Sequence, residues 1–426
     1  MTTDLLDWDE DLQIDSEEEY QALLNGLKRS QGFGLFFVQC SPFSGDKLVE
    51  RVKADLMDKN IDVLKFEKPI ADGNVFKRVN AFLQEGSPID VLFIQGLENS
   101  LFDAEETKKR LGWSDKAIET RNWREVPTVL TNLNQQRERF RDSFQCCLVF
   151  LLPQYAIKYV VHRAPDFFDW RSGMFEYASD PKTLAQESAR ILQEADYDAY
   201  CNWSSEERSQ RILQIHALLE EQEIVIKTQA KLLFEQGSLF AASNKYSIAA
   251  ISFERAVALK PDYRSAWHNW GVALGKMKHY EEAINKYDRA LSIKPDHTAA
   301  LYNKGIALAA LGQKEAAIIC YDKALVFKPN YHEALNNKGT AMAALSRYAM
   351  ALACYDQALT IRPSYYRALY NKACCYGLQG DVENAVKFLQ EAIALASEYR
   401  DMAKTDTDFD AVRDDPRFQA LLEENE

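Results

Sequence analysis

The sequence predicts a chain in two parts, an α/β domain followed by an all-α one, on three observations. Prolines recur at positions 261, 295, 329 and 363, each 34 residues after the last. Ahead of them, four continuous apolar runs alternate with segments of helical spacing: FGLFFVQC (33–40), IDVLKFE (61–67), IDVLFIQG (89–96) and CCLVFLL (146–152). Charge divides along the same line. Residues 230–399 carry 20 Lys/Arg against 15 Asp/Glu, residues 1–229 carry 27 against 40, and residues 400–426 carry 4 against 9.

These features set the expected boundaries: an acidic segment at 1–19, an α/β domain at 20–180, a helical linker at 181–229, a repeat array at 230–399 and a capping segment at 400–426. With 47% hydrophobic and 27% charged residues over 426 positions, the chain can bury more than one ordinary core. No run approaches the length needed to span a bilayer, and the start, MTTDLLDWDEDLQIDSEEEY, is acidic where an export signal is basic. A cytoplasmic protein without an integral membrane segment is expected. Eight cysteines with no CxxC spacing read as reduced thiols and give no zinc site. The basic excess of the middle segment lacks the dense clusters that track phosphates, which argues against nucleic acid.

In the first half the apolar runs are continuous rather than alternating, as in parallel strands covered on both faces. Helical segments such as DKLVERVKADLMDK and TNLNQQRERFRDSF separate them, so the pattern predicts a doubly wound, mainly parallel sheet. MFEY (174–177) supplies a short fifth strand. From Ser204 a long helical pattern, opened by a Ser204-Ser205 N-cap signal, is read as running without a break into the array.

The first strand leads into CSPFSGDKL, where a phosphate-binding loop of pattern GxxxxGK[ST] would stand. Aligning Gly45 with the second glycine puts Cys40 at the first, Asp46 at the lysine and Lys47 at the hydroxyl. Asp46 would repel the phosphates that a lysine attracts. The third strand ends in Gln95 where a magnesium-holding aspartate would follow, with Glu98 three residues on. Further along, LNQQRERF (133–140) and RAPDFFDWRSGMFEY (163–177) resemble segments of bacterial, especially cyanobacterial, signalling ATPases of the STAND class and their degenerate, repeat-bearing relatives. The resemblance implies a P-loop NTPase-like fold at 20–180 acting as a switch or assembly platform, with hydrolysis lost at the phosphate loop. Gly45, Lys47, Arg137, Arg163, Asp166, Asp169 and Arg171 are the candidates it gives for a nucleotide or docking site. The alternative for the last four is structural: Phe167, Phe168 and Trp170 plug the sheet edge while the charges pair with one another; Arg137, like Arg139, has the alternative of a helix-surface arginine that is solvated or paired. His162 has no serine or cysteine nucleophile at recognisable spacing, so no triad is expected.

Counting Pro261 as repeat position 32 brings every other landmark into register. Position 8 is Gly237, Gly271, Gly305, Gly339 and Ala373; position 20 and position 27 are alanine in all five units; position 24 is Phe253, Tyr287, Tyr321, Tyr355 and Leu389. Small residues let two short antiparallel helices approach, the ring fills the space beside them, and proline stops the second helix. Asn244, Gly312 and Gly380 mark the turn between the helices. The pattern resembles the tetratricopeptide repeat, matched five times, an α-solenoid closed by a C-terminal capping helix around Phe418, Leu421 and Leu422.

Position 6 is Glu235 and then Asn269, Asn303, Asn337 and Asn371. In the family this position faces the concave groove, where an amide can pair with the backbone of an extended peptide. His268, Tyr302 and Tyr370 at position 5, Lys276 at position 13 and Arg367 at position 2 would add side-chain contacts. The plainer alternative is that asparagine suits an exposed helix position. Lys304, Lys338 and Lys372 form a second ladder at position 7, read as stems lying over neighbouring helices. The resulting reading is a non-enzymatic adaptor with no cofactor or metal. It holds a protein or peptide, neutral to acidic, in the groove, and its N-terminal domain is a second docking or self-association surface. The alternative from another class is a nucleotide-regulated switch in which the first domain binds ATP or GTP and controls the array.

Overall fold

The computed structural model describes residues 16–101, 126–221 and 224–423, and residues 1–259 and 260–426 form two compact units. The acidic segment 1–19 lies almost wholly outside the described residues.

The first unit opens with α1 (Ser16–Arg29) and then alternates strand and helix: β1 (Gly34–Gln39), α2 (Pro42–Asp55), β2 (Ile61–Lys65), α3 (Val75–Glu85), β3 (Val91–Gln95). A short 3-10 turn (Leu97–Leu101) follows, and beyond the undescribed stretch come α4 (Thr128–Ser143), β4 (Cys147–Leu152), α5 (Gln154–Arg163), α6 (Pro165–Phe168) and β5 (Gly173–Glu176). All the ladders are parallel and the strand order is β2-β3-β4-β1-β5. Each expected strand is present, shifted by a residue or two at its ends.

Continuous apolarity has the expected cause, because helices cover both faces of the sheet. Phe36, Val38, Phe93 and Val149 point to a core completed by Leu23 and Leu27 of α1 and Leu48 and Val52 of α2. On the opposite face the Phe37 ring lies 5.4 Å from Phe150 and 5.1 Å from Phe168, and Phe167 lies 5.2 Å from Phe140. Phe167 and Phe168 thus pack on the second face of the sheet rather than at its edge, and Trp170 is only half-buried.

Three further helices follow, α7 (Pro181–Gln193), α8 (Tyr197–Asn202) and α9 (Ser205–Glu220), then a helix pair, α10 (Ile226–Ala242) and α11 (Tyr246–Leu259). Ser204 caps α9 in a reciprocal box with Glu207. The single long helix expected from 204 onwards is in fact two, because α9 ends at Glu220 and α10 begins at Ile226.

The second unit contains four more pairs: α12 (Arg264–Lys276) with α13 (Tyr280–Ile293), α14 (Thr298–Ala310) with α15 (Lys314–Phe327), α16 (His332–Ala343) with α17 (Tyr348–Ile361), and α18 (Tyr366–Leu378) with α19 (Val382–Leu395). Then come α20 (Glu398–Thr405), a 3-10 turn (Thr407–Phe409) and α21 (Pro416–Leu422). The glycine at position 8 is explained by its neighbour at position 24. A Cβ on Gly271, Gly305 or Gly339 would lie only 2.5–2.6 Å from a ring carbon of Tyr287, Tyr321 or Tyr355. Between paired helices, position 15 takes positive φ throughout: Lys278 at 65°, Gly312 at 77°, Ser346 at 58° and Gly380 at 73°, with Asn244 of the first unit at 59°. Phe418 of α21 is fully buried beside Phe409, 5.2 Å ring to ring.

Candidate functional site

The position-6 asparagines are held by the repeat before them. Asn303 Nδ2 is 3.1 Å from His268 Nε2, Asn337 Nδ2 donates to Tyr302 OH at 3.1 Å, and Asn371 Nδ2 donates to Asn336 Oδ1 at 2.9 Å. Positions 5 and 6 of successive helices therefore form a rail along the second unit in two hydrogen-bonded stretches, Asn269–His268–Asn303 and Tyr302–Asn337–Asn336–Asn371. Asn269 and Asn337 also use their carbonyls, toward His268 Nδ1 and Asn336 Nδ2. Among the described residues, Oδ1 of Asn303 and Oδ1 of Asn371 carry no such bond, so each side chain is oriented at one end and able to accept at the other.

A second row, absent from the sequence reading, backs the rail. Position 34 is Tyr263, His297, Tyr331, Tyr365 and Tyr399, in the same register as the prolines. Its rings lie on those of position 5: His297 on His268 at 4.9 Å, Tyr331 on Tyr302 at 4.8 Å, Tyr399 on Tyr370 at 4.5 Å. Aromatic stacking of this kind gives the rail a rigid floor. Burial, helped by His297 and Arg264, pushes His268 down to about 4, so its imidazole is neutral near pH 7.

The other candidates in this half divide. Lys276 and Arg367 are exposed, as groove contacts must be. Tyr370 is buried, contrary to its expected place in an open groove, because its hydroxyl donates to Asp406 Oδ2 at 2.7 Å and residues 406–409 lie over it. In the first unit, Glu235 at position 6 is likewise engaged, accepting from Tyr200 OH at 3.1 Å, and burial raises it to about 6. The lysine ladder does more than snorkel. Lys304, Lys338 and Lys372 meet Asp288, Asp322 and Asp356 at 2.5, 2.6 and 2.5 Å, each aspartate lying 16 residues earlier in the preceding repeat.

In the α/β unit the aligned phosphate loop is a helix. Only Cys40 and Ser41 separate β1 from α2, because Ser41 caps the helix and Pro42 occupies its first turn. Gly45 N donates to Ser41 O at 3.0 Å, so Gly45 and Lys47 stand inside α2 and their amides serve the helix. Lys47 bonds to Thr183 and pairs with Asp180 at 3.4 Å. Gly45 has a packing reason, since a Cβ there would meet Gln95 Nε2 at 3.2 Å and Leu151 at 3.3 Å. Ser41, Ser44 and Ser179 share a buried hydroxyl cluster. Glu98 is buried beside the end of β3, and desolvation raises it to about 7.

The charges of the 137–171 region pair mostly in twos. Arg137 lies 3.7 Å from Asp166, which also accepts from Asn134 Nδ2 at 3.2 Å. Arg171 lies 3.8 Å from Asp169 and 4.2 Å above the Phe168 ring. Arg163 closes α5 half-buried. Among the described residues, one group has metal-ligand types within reach of one another, Cys374 with Asp406 and Asp408. No described helix is long and apolar enough to cross a membrane.

The tetratricopeptide repeat family profile matches residues 268–332 and 336–400. No curated protein matches the sequence. Similar solved structures include pilF of Pseudomonas aeruginosa, 16% identical over 52% of this chain and 98% of that one, TM-score 0.43. Another is YrrB, titled a TPR protein with an unusual peptide-binding site, 22% identical over 40% of this chain and 87% of that one, TM-score 0.36. MamA from Desulfovibrio magneticus RS-1 is 17% identical over 40% of this chain and 96% of its own, TM-score 0.38. The helix pairs, their 34-residue period and the profile match agree: the C-terminal part of the chain is a helical solenoid of tetratricopeptide repeats.

Proposed function

We propose that this protein is a non-enzymatic adaptor whose repeat array holds an extended, neutral to acidic protein segment along the rail from Asn269 to Asn371. The observation that carries the reading is the one-ended anchoring of Asn303 and Asn371. An amide already fixed through Nδ2 offers its Oδ1 to a peptide N–H without first losing rotamer freedom, which is where affinity is gained by preorganisation. His268 and Tyr302 hold the rail in place, and Lys276 and Arg367 give it a positive fringe that favours acidic side chains.

For the α/β unit we propose a degenerate P-loop NTPase-like module, similar to those of STAND proteins, serving as a docking or self-association platform. The five parallel strands with helices on both faces support that reading. Hydrolysis is disfavoured by Asp46 at the lysine position and by the two-residue passage from β1 to α2, where Ser44 N is taken by Ser41 Oγ and Gly45 N by Ser41 O. The nucleotide-switch reading finds no such support, since Lys47 is committed to Asp180 and Thr183. Of the remaining candidates, Arg137, Arg163, Asp166, Asp169 and Arg171 would shape the docking face.

The test is an array of acidic peptides and their lysine-substituted counterparts, probed with the parent chain and with Asn303→Ala/Asn371→Ala. The parent should prefer the acidic set, and the double variant, still helical by circular dichroism, should lose about tenfold in affinity. Equal capture of both sets, or no loss in the variant, refutes the groove.

A further inference from the structure

At its C-terminal end the array already holds an acidic segment, and it is the chain's own. Residues Asp406–Asp410 read DTDFD and lie over the same positions of α18 that the earlier repeats leave open. Asp406 accepts from Tyr370 OH at 2.7 Å, and the Phe409 ring sits 5.9 Å from that of Tyr370. Gly377, at position 12, makes room for the turn: a Cβ there would stand 2.7 Å from Asp408 O and 2.8 Å from Phe409 Cδ1. Arg413 fixes the turn from behind, donating to the carbonyls of Asp406 at 2.6 Å and Lys404 at 2.5 Å. This face of a repeat thus accepts an aromatic ring between two aspartates, its backbone passing over a position-12 glycine.

Within the second unit that glycine recurs once. Position 12 is Ala309 and Ala343 in the third and fourth repeats but Gly275 in the second. Among the described residues a Cβ on Gly275 would meet only Tyr287 OH, at 3.6 Å. Exposed Lys276 stands next to it, while Arg264 lies 11 residues away at the other end of the same helix. The chain has three Asp-aromatic-Asp triplets. One is Asp408-Phe409-Asp410, already seated. A second, Asp196-Tyr197-Asp198, is committed to the start of α8, where Asp196 caps the helix through Asp198 N. The third, Asp7-Trp8-Asp9, belongs to a 15-residue stretch, MTTDLLDWDEDLQID, with six acidic residues and no Lys or Arg.

We propose that Asp7-Trp8-Asp9 of one chain docks on the second repeat of another copy, Trp8 over Gly275 and its aspartates toward Lys276. The inference rests on the groove reading above and names its occupant: a second copy of this chain. Charge drives the pairing, a stretch of net −6 meeting a repeat segment of net +5. It therefore weakens with salt.

The experiment uses the full chain carrying Asp7→Asn, Trp8→Ala and Asp9→Asn, so that its own segment does not compete. A fluorescein-labelled peptide of residues 1–15 is titrated into it and followed by anisotropy. Saturable binding is expected, lost with a scrambled peptide of the same composition. It should be weakened about tenfold or more by Gly275→Leu with Lys276→Glu and by raising salt from about 0.05 to about 0.3 M. Lys276→Glu alone, at an exposed position, covers the case in which the leucine disturbs the fold. In sedimentation velocity the parent chain should self-associate with concentration and the Trp8→Ala chain should not. No binding of the peptide, equal binding of the scrambled one, or binding indifferent to Lys276→Glu overturns the proposal. If the peptide fails while Asn303→Ala/Asn371→Ala still weakens capture of arrayed acidic peptides, self-docking falls and the groove stands.

Discussion

Nε2 of His268 lies 3.1 Å from Nδ2 of Asn303, while its Nδ1 faces Asn269 Oδ1 at 3.1 Å, so a single neutral imidazole links the asparagines of two successive repeats. Protonation would set an N–H against the amide N–H of Asn303 and break the link. With the folded pKa lowered from 6.5 to about 4 by burial, the folded state takes up fewer protons than the unfolded one across that interval. The stabilisation is full above pH 6.5 and shrinks as pH falls toward 4, by up to about 3 kcal/mol. The His268 resonance followed by NMR should titrate well below 6, and His268→Gln should flatten the acid-side loss of stability.

Glu98 gives the opposite slope. Its carboxyl is raised from 4.5 to about 7 by desolvation, so the contribution of this group to stability is full below pH 4.5 and is lost as pH rises through 7. Glu98→Gln removes the ionisable proton while keeping the shape. Thermal unfolding should show it more stable than the parent at pH 8, by as much as about 3 kcal/mol, and indistinguishable at pH 4.

The inter-helix turns hold a smaller reserve. Lys278 and Ser346 adopt φ of 65° and 58° where Gly312 and Gly380 stand in sister repeats. Side chains in the left-handed region cost about 1–2 kcal/mol that glycine avoids. Ser346→Gly and Lys278→Gly should each raise the midpoint of chemical unfolding, offset in part by the added freedom of the unfolded chain. Gly305→Ala should lower stability by about 1–3 kcal/mol, and the midpoint with it, because its Cβ would enter the Tyr321 ring.

Much of this architecture is legible in the sequence because it is periodic. Proline at 32, alanine at 20 and 27 and the ring at 24 report a packing requirement met anew in each repeat. The apolar strands are legible for a related reason, since both faces of the sheet are covered and every residue of β4 is buried. What the sequence hides is pairing across repeats. Asp288 and Lys304 stand on different helices, and only the stacking of one repeat on the next brings them to 2.5 Å. The position-34 rings were visible as a ladder yet carried no meaning until their partners at position 5 were placed. Tyr370 looked like its counterpart Tyr302 because nothing local announces that Asp406 and Phe409 fold back onto it. Around Gly45 the motif alignment misleads for a local reason: Ser41-Pro42 is a strong helix start, and it turns the span from Ser41 to Lys47 into helix rather than loop.

The central claim is that ligand lies on the concave rail, and site-specific photo-crosslinking tests it most directly. A benzophenone side chain placed at Ile306, exposed on α14 one turn beyond Asn303, or at Ile319, exposed on the partner helix α15, reports which face a bound acidic peptide touches. The account predicts peptide adducts from position 306, suppressed by Asn303→Ala/Asn371→Ala, and none from position 319. Adducts from 319 with none from 306 would contradict it.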